Sequence, residues 1–219
     1  MSIGSLIRQI HSELPSNVKL VAVSKYHPVT ELMEAYNAGQ RSFGENIAQE
    51  FSAKVPQMPS DVEWHFIGHL QTNKLKLVLP HASMIQSVDS IHLLNGINGW
   101  CASNGKITDV LLELHLGAEE TKHGLTEEEV ISILDNATDY ANVRFCGLMG
   151  MATNTDDVEV VRKDFLKISE FKSSIRVRYP ELQEFNELSI GMSEDYPVAV
   201  ECGATIVRIG TKIFGPREY

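Results

Sequence analysis

Along the whole 219-residue chain, short apolar strands take turns with stretches that suit helices. Strand-like runs recur near residues 19–24, 41–44, 63–67, 83–87, 107–115, 143–149, 186–190 and 205–209, each separated from the next by enough chain for a crossover. Strands alternating with helices build a parallel sheet, because a parallel connection must travel back along the sheet before the next strand begins. Eight is the number of strands that closes such a sheet into a barrel. The expected architecture is therefore α/β: a (β/α)8 TIM barrel spanning residues 1–219 as a single domain. It is preceded by a leading helix over 3–13 whose stripe is Ile3, Leu6, Ile7 and Ile10. A chain of this length ordinarily folds around one core and leaves no room for a second catalytic domain.

Helix signals support this layout. Val158, Val161, Phe165, Ile168, Phe171 and Ile175 recur at spacings of three and four within 155–178, as a core-facing stripe does. Thr126-Glu127-Glu128-Glu129 fits a capping box, which makes the acidic run a solvated first turn. Ser193-Glu194-Asp195-Tyr196-Pro197 opens a helix expected to end near Gly203, and Pro28 with Glu31 suits one beginning soon after Lys25.

Charge and special residues exclude several classes of function. With 19 Lys and Arg against 29 Asp and Glu, the formal charge of −10 argues against a nucleic-acid or anionic-membrane partner. The first ten residues lack a basic segment followed by an apolar one, and no apolar stretch approaches membrane-spanning length, so a cytoplasmic protein is expected. Cys101, Cys146 and Cys202 are far apart and read as small buried hydrophobes. His65 and His69 are four apart, but Phe66-Ile67-Gly68 between them is not helical in character and supplies no carboxylate, so no metal site is expected.

The strand ends carry the chemistry. Lys25 follows Val21 and Val23 on one face of the first strand, which brings its amine into apolar surroundings. Burial lowers an ammonium pKa and prepares the amine to attack an aldehyde, although most lysines at strand ends simply reach into solvent. At the other end of the chain, Arg208 lies in the last strand and Gly210-Thr211 follows it, offering bare backbone N–H groups and a hydroxyl suited to a phosphate. An amine nucleophile, an arginine and a phosphate cradle together describe an aromatic aldehyde bearing a phosphate, pyridoxal 5′-phosphate (PLP).

Val21-Ala22-Val23-Ser24-Lys25, Phe43-Gly44-Glu45-Asn46, Trp64 to Lys74, Leu188 to Asp195, and Arg208 to Gly215 come in an order that resembles the PLP homeostasis proteins. These are the YggS/PROSC-like, PLP-binding relatives of the alanine racemase N-terminal domain. Ile190, where that family often has methionine, is a volume-conserving exchange, and Tyr26-His27 stands where smaller residues are common. The resemblance implies a barrel of the alanine racemase N-terminal type with its ligand at the C-terminal strand ends. Lys25 would attach PLP as an internal aldimine, and Asn46 would sit near the lysine or the ring oxygen. Ser189, Met192, Ser193, Gly210 and Thr211 would hold the phosphate. Arg208 would face the pyridine nitrogen, with Met149, His65 and Asn73 near the same mouth.

An arginine opposite the ring nitrogen stays protonated and discourages the nitrogen from taking a proton, so the bound ring would be a poor electron sink. The chain ends at Tyr219, directly after the barrel, so no second domain is expected to supply an opposing acid/base group or a racemase-type dimer interface. The expectation is a monomer that binds PLP without efficient catalysis, and whose partners are PLP itself and, for delivery, PLP-dependent apo-enzymes. A slow amino-acid racemase using His65 or Tyr26 as a second base, and a PLP-free Schiff-base aldolase, remain the alternatives. Lys74, Lys122 and Lys212 are read as surface charges.

Overall fold

Each strand is hydrogen-bonded in parallel to the next, and the eighth returns to the first, closing the barrel in sequence order. The computed structural model describes residues 1–116 and 124–216, which leaves Lys122 outside the described residues. The strands are β1 Lys19–Val23, β2 Ser42–Glu45, β3 Glu63–Phe66, β4 Met84–Val88, β5 Thr108–Leu114, β6 Val143–Gly150, β7 Glu187–Ser189 and β8 Ile206–Ile209. Each lies within a residue or so of its expected bounds.

Period-two alternation sorts the strand residues into two cores, with one interruption where the β5–β6 register shifts at Gly147 and leaves both Cys146 and Met149 facing inward. Val21, Met84, Leu111, Cys146, Met149 and Ile206 form a small apolar cluster of their own inside the barrel. Their neighbours in sequence, such as Ala22, Ile85, Leu112 and Val207, belong to the larger shell beneath the helices. The two cores share walls, and each strand is therefore buried on both faces.

Helix α1, Ile3–Glu13, starts at Ser2, whose hydroxyl accepts the Ser5 amide at 3.2 Å. It buries Ile7 and Ile10 completely, each worth about 1.5–3 kcal/mol of transfer free energy. Helix α2, Val29–Asn37, begins after Pro28 and keeps the connection from Lys25 short. Helices α3 Ala48–Lys54, α4 Leu75–Val78 and α5 Ile91–Asn104 follow on the outside. Helix α6, Glu127–Asp135, carries the expected capping box: the Glu129 amide donates to Thr126 Oγ1 at 3.2 Å and the Thr126 amide to Glu129 Oε2 at 2.9 Å.

Helix α7, Val158–Arg178, starts three residues later than the pattern suggested, because Asp157 caps it by accepting the Glu159 amide. Val161, Phe165, Ile168 and Ile175 are buried as expected. Val158 is half exposed, because the first residue of a helix has no preceding turn to fold against. Helix α8 is the short stretch Tyr196–Glu201, since residues 193–195 form a turn instead of a helical start. The last helix, α9 Thr211–Phe214, springs directly from Gly210.

Candidate cofactor site

At the C-terminal ends of β1, β2 and β6–β8 the barrel opens into a cavity of about 460 Å³. Lys25, Asn46, Met149, Met192, Ser193, Arg208, Gly210 and Thr211 all line it, brought together from five segments of chain. This is the size and placement of a small-molecule site on this architecture.

Ser189 takes a different position. It is fully buried at the end of β7, and its hydroxyl oxygen accepts from Arg208 Nη1 at 2.6 Å while donating to Gln86 Oε1 at 2.7 Å. Its one proton is spent on Gln86, which leaves none for a phosphate, and Ser189 does not line the cavity, so it acts through Arg208. This differs from the expectation that it would meet the phosphate. Arg208 also donates to the Ser189 carbonyl at 2.7 Å and to the Gly150 carbonyl at 3.0 Å. Burial lowers the guanidinium pKa to about 10 against the opposing effects of Glu113 and Asp195, so it stays charged at neutral pH.

The polar row continues across the floor. Gln86 Nε2 reaches His65 Nδ1 at 2.8 Å, so hydrogen bonds link β8, β7, β4 and β3 in one buried line. Accepting at Nδ1 leaves the His65 proton on Nε2, which is buried without a partner among the described residues. Burial depresses the His65 pKa to about 4 and keeps the ring neutral. His65 therefore lies in the barrel floor, outside the cavity lining, and is no second base there. Asn73 is exposed on the 3₁₀ turn Thr72–Lys74 and does not join the cavity. Tyr26 is nearly half exposed and is not among the lining residues.

The phosphate end is built on backbone. The amides of Gly210 and Lys212 both point at Ser193 Oγ from 3.4 Å, too long for a good bond and converging from two directions. Amides at the first turn of α9 have no helical acceptor of their own, so they are available to an anion. A Cβ on Gly210 would sit 3.1 Å from the Val23 carbonyl oxygen, so glycine lets β8 close against β1 just where the cradle begins. The turn carrying Met192 and Ser193 is held by the Met192 amide, which donates to Asp195 Oδ1 at 2.5 Å.

On the other side of β1 from this cradle, Asn46 has a buried Oδ1 with no hydrogen-bond partner among the described residues. A buried amide oxygen without a donor is costly unless a ligand supplies one. Gly68 permits this placement, since a Cβ there would lie 2.2 Å from the Asn46 carbonyl oxygen. On β5, the carboxyl group of Glu113 is buried outside the cavity lining. Its pKa is pushed up to about 7 by burial and by Asp89, against the pull of Arg208 and His69.

Amine, orphaned amide, buried guanidinium and converging amides match the functional groups of PLP. Sequence reasoning missed Gln86, Glu113 and the buried pair Glu45–Lys54 behind Lys25. For Gln86 and Glu113, a polar residue at an inward position of an apolar strand was the available signal, whereas Glu45 faces the helices and Lys54 lies on one. Cys101, Cys146 and Cys202 are free and buried, and burial raises the Cys146 thiol to about 12. His65 and His69 have separate partners, and no cluster suited to a metal occurs among the described residues. Lys212 is engaged, donating to the Tyr196 hydroxyl at 2.7 Å. No described helix is long and apolar enough to cross a membrane.

A family model described as the alanine racemase N-terminal domain matches residues 3–218. A pyridoxal phosphate homeostasis protein of Vibrio alginolyticus is 38% identical over 210 residues, covering 94% of this chain and 89% of its own length. The chain belongs to this family. A human homeostasis protein of the same name is 37% identical over 213 residues, covering 92% of this chain and 77% of that one. Among solved structures, PipY of Synechococcus elongatus, described with PLP bound, is 34% identical with a TM-score of 0.91 over 98% of this chain and 100% of its own. The homeostasis-protein family is named for keeping a cofactor and not for a reaction, and the barrel is the part it shares with the racemases.

Proposed function

We propose that this protein holds PLP covalently on Lys25 and serves in PLP homeostasis, buffering the free aldehyde or passing it to apo-enzymes, without efficient turnover. The observation that carries this reading is the meeting of Lys25, Asn46, Arg208, Gly210 and Thr211 around one cavity. It is supported by relatives named for PLP homeostasis and a PLP-bound neighbour of the same fold.

PLP supplies an aldehyde that condenses with a primary amine, the carbon–nitrogen bond replacing the carbonyl oxygen, which leaves as water with both amine protons. Everything else is the work of the chain. Lys25 presents the amine. The amides of Gly210 and Thr211, with the Thr211 and Ser193 hydroxyls and the turn at Met192, hold the phosphate. Asn46 would sit near Lys25 or the ring oxygen, and Met149 would lie against the ring. Arg208 directs a charged N–H toward the ring nitrogen and keeps a proton off it, which weakens the ring as an electron sink. Ser189 contributes by fixing Arg208.

The reading includes a single-domain, monomeric protein of the cytoplasm. Apo-enzymes are its partners, and its net negative charge keeps it from nucleic acid and anionic membranes. Mixing the loaded protein with an apo-enzyme tests delivery: reactivation faster than free PLP achieves at the same concentration supports handover, and equal rates restrict the role to buffering.

A further inference from the structure

Both peptide groups of Lys25 are held by one ionic cluster, buried at Lys54 and Glu45 and half-buried at Glu50, that does not line the cavity. Lys54, at the end of α3, donates from Nζ to the Ser24 carbonyl at 2.6 Å, to Glu45 Oε1 at 2.7 Å and to Glu50 Oε1 at 2.7 Å. Three acceptors saturate the three N–H bonds of the ammonium. The Ser24 hydroxyl donates to the same Glu45 oxygen at 2.6 Å, and the Tyr26 amide donates to the same Glu50 oxygen at 2.6 Å. The carbonyl before Lys25 and the amide after it are thus tied to one point.

The chain turns sharply at this clamp. Tyr26 has φ of +67°, alone among the described non-glycine residues in that region, where a side chain is disfavoured. The next residue, His27, stacks on Phe214 of α9 with ring centroids 5.0 Å apart, linking the Lys25 loop to the helix that begins at the phosphate cradle. Lys54 is 5% exposed and Glu45 not at all, and Glu45 Oε2 has no hydrogen-bond partner among the described residues. Apolar side chains would hold a loop without the desolvation that such a pair incurs, so its ionic character calls for a role in fixing geometry.

We infer that Lys54, Glu45 and Glu50 form a positioning cluster for Lys25, fixing the backbone on both sides of it so that its amine meets the aldehyde in line. The assignment rests on the proposed attachment of PLP to Lys25. Removing the clamp should slow covalent capture and leave recognition of the phosphate and ring intact.

Lys54→Met strands Glu45 in the core and risks the fold, so the decisive variant is Glu50→Ala, which frees the Tyr26 amide while sparing the Lys54–Glu45 pair. Two quantities are read on the full chain. One is the rate at which a borohydride-trappable adduct forms on Lys25 after mixing with PLP. The other is the dissociation constant of pyridoxine 5′-phosphate, which has an alcohol in place of the aldehyde. The expected result is capture slowed on the order of tenfold with pyridoxine 5′-phosphate affinity within about twofold of wild type, since misplacing a nucleophile costs rate before it costs binding. Glu50→Gln, which keeps an oxygen for the Tyr26 amide, should restore most of the rate. Capture at the wild-type rate in Glu50→Ala, or an equal loss of capture and analogue binding, would overturn the assignment. Wild-type protein that binds pyridoxine 5′-phosphate yet gains no adduct on Lys25 would instead overturn the attachment reading on which the assignment stands, and it is seen before any variant is made.

Discussion

Arg208 grips Ser189 twice, donating to its carbonyl at 2.7 Å and to its hydroxyl at 2.6 Å, both bonds fully buried. The serine hydroxyl is then spent on Gln86, and Gln86 on His65, so the guanidinium at the cavity wall is braced through four strands. Gln86→Leu removes the middle of the brace while nearly conserving volume, leaving the Ser189 hydroxyl and His65 Nδ1 without their partner. We expect a loss of about 2 kcal/mol of stability in urea unfolding with an unchanged m-value. A variant as stable as wild type would show that the brace does not hold Arg208.

Glu113 gives the protein a pH-dependent weakness. Below the unfolded-state value of 4.5 both states hold the proton; as pH rises, the unfolded chain releases it first, and the fold loses stability until the native group also ionises near 7. The loss reaches about 3 kcal/mol above that window, at 1.36 kcal/mol per pKa unit. Glu113→Gln should therefore raise Tm of the PLP-free protein at pH 8, with the gain shrinking as pH falls toward 5. A gain that is the same at both pH values would contradict the assigned titration.

Gly191 turns the chain from β7 into the segment bearing Met192 and Ser193 with φ of +89°, and a Cβ there would lie 2.5 Å from the Ala199 Cβ. Gly191→Ala combines backbone strain with overpacking and should cost about 2–4 kcal/mol. Because the same turn carries Ser193, inorganic phosphate should bind less tightly as well. Thermal melts and phosphate titration check both, and an unshifted Tm would refute the strain argument.

The barrel was legible because each strand declares itself locally. Lys19-Leu20-Val21-Ala22-Val23 and Thr205-Ile206-Val207-Arg208-Ile209 need no partner to be recognised as buried parallel strands. Lys25, Arg208 and Gly210-Thr211 were readable for the same reason, since each stands at or just beyond a strand end. The brace was not, because Gln86 and Ser189 are 103 residues apart and meet only when the barrel closes. Sequence alone therefore places Ser189 at the phosphate. Asn73 was misplaced because its 3₁₀ turn lies outside the cavity, a matter of loop direction that periodicity does not encode. The clamp on Lys25 was hidden in plain composition: Glu45 and Lys54 look like surface charges until β2 buries the first and α3 turns the second inward.

Purified protein reconstituted with PLP, reduced with borohydride and mapped by peptide mass should carry the reduced adduct on Lys25, with a visible absorption band before reduction. Lys25→Ala should lose both while still binding pyridoxine 5′-phosphate. A colourless protein that cannot be reconstituted, or an adduct located on Lys74 or Lys212 with Lys25 unmodified, would contradict the account.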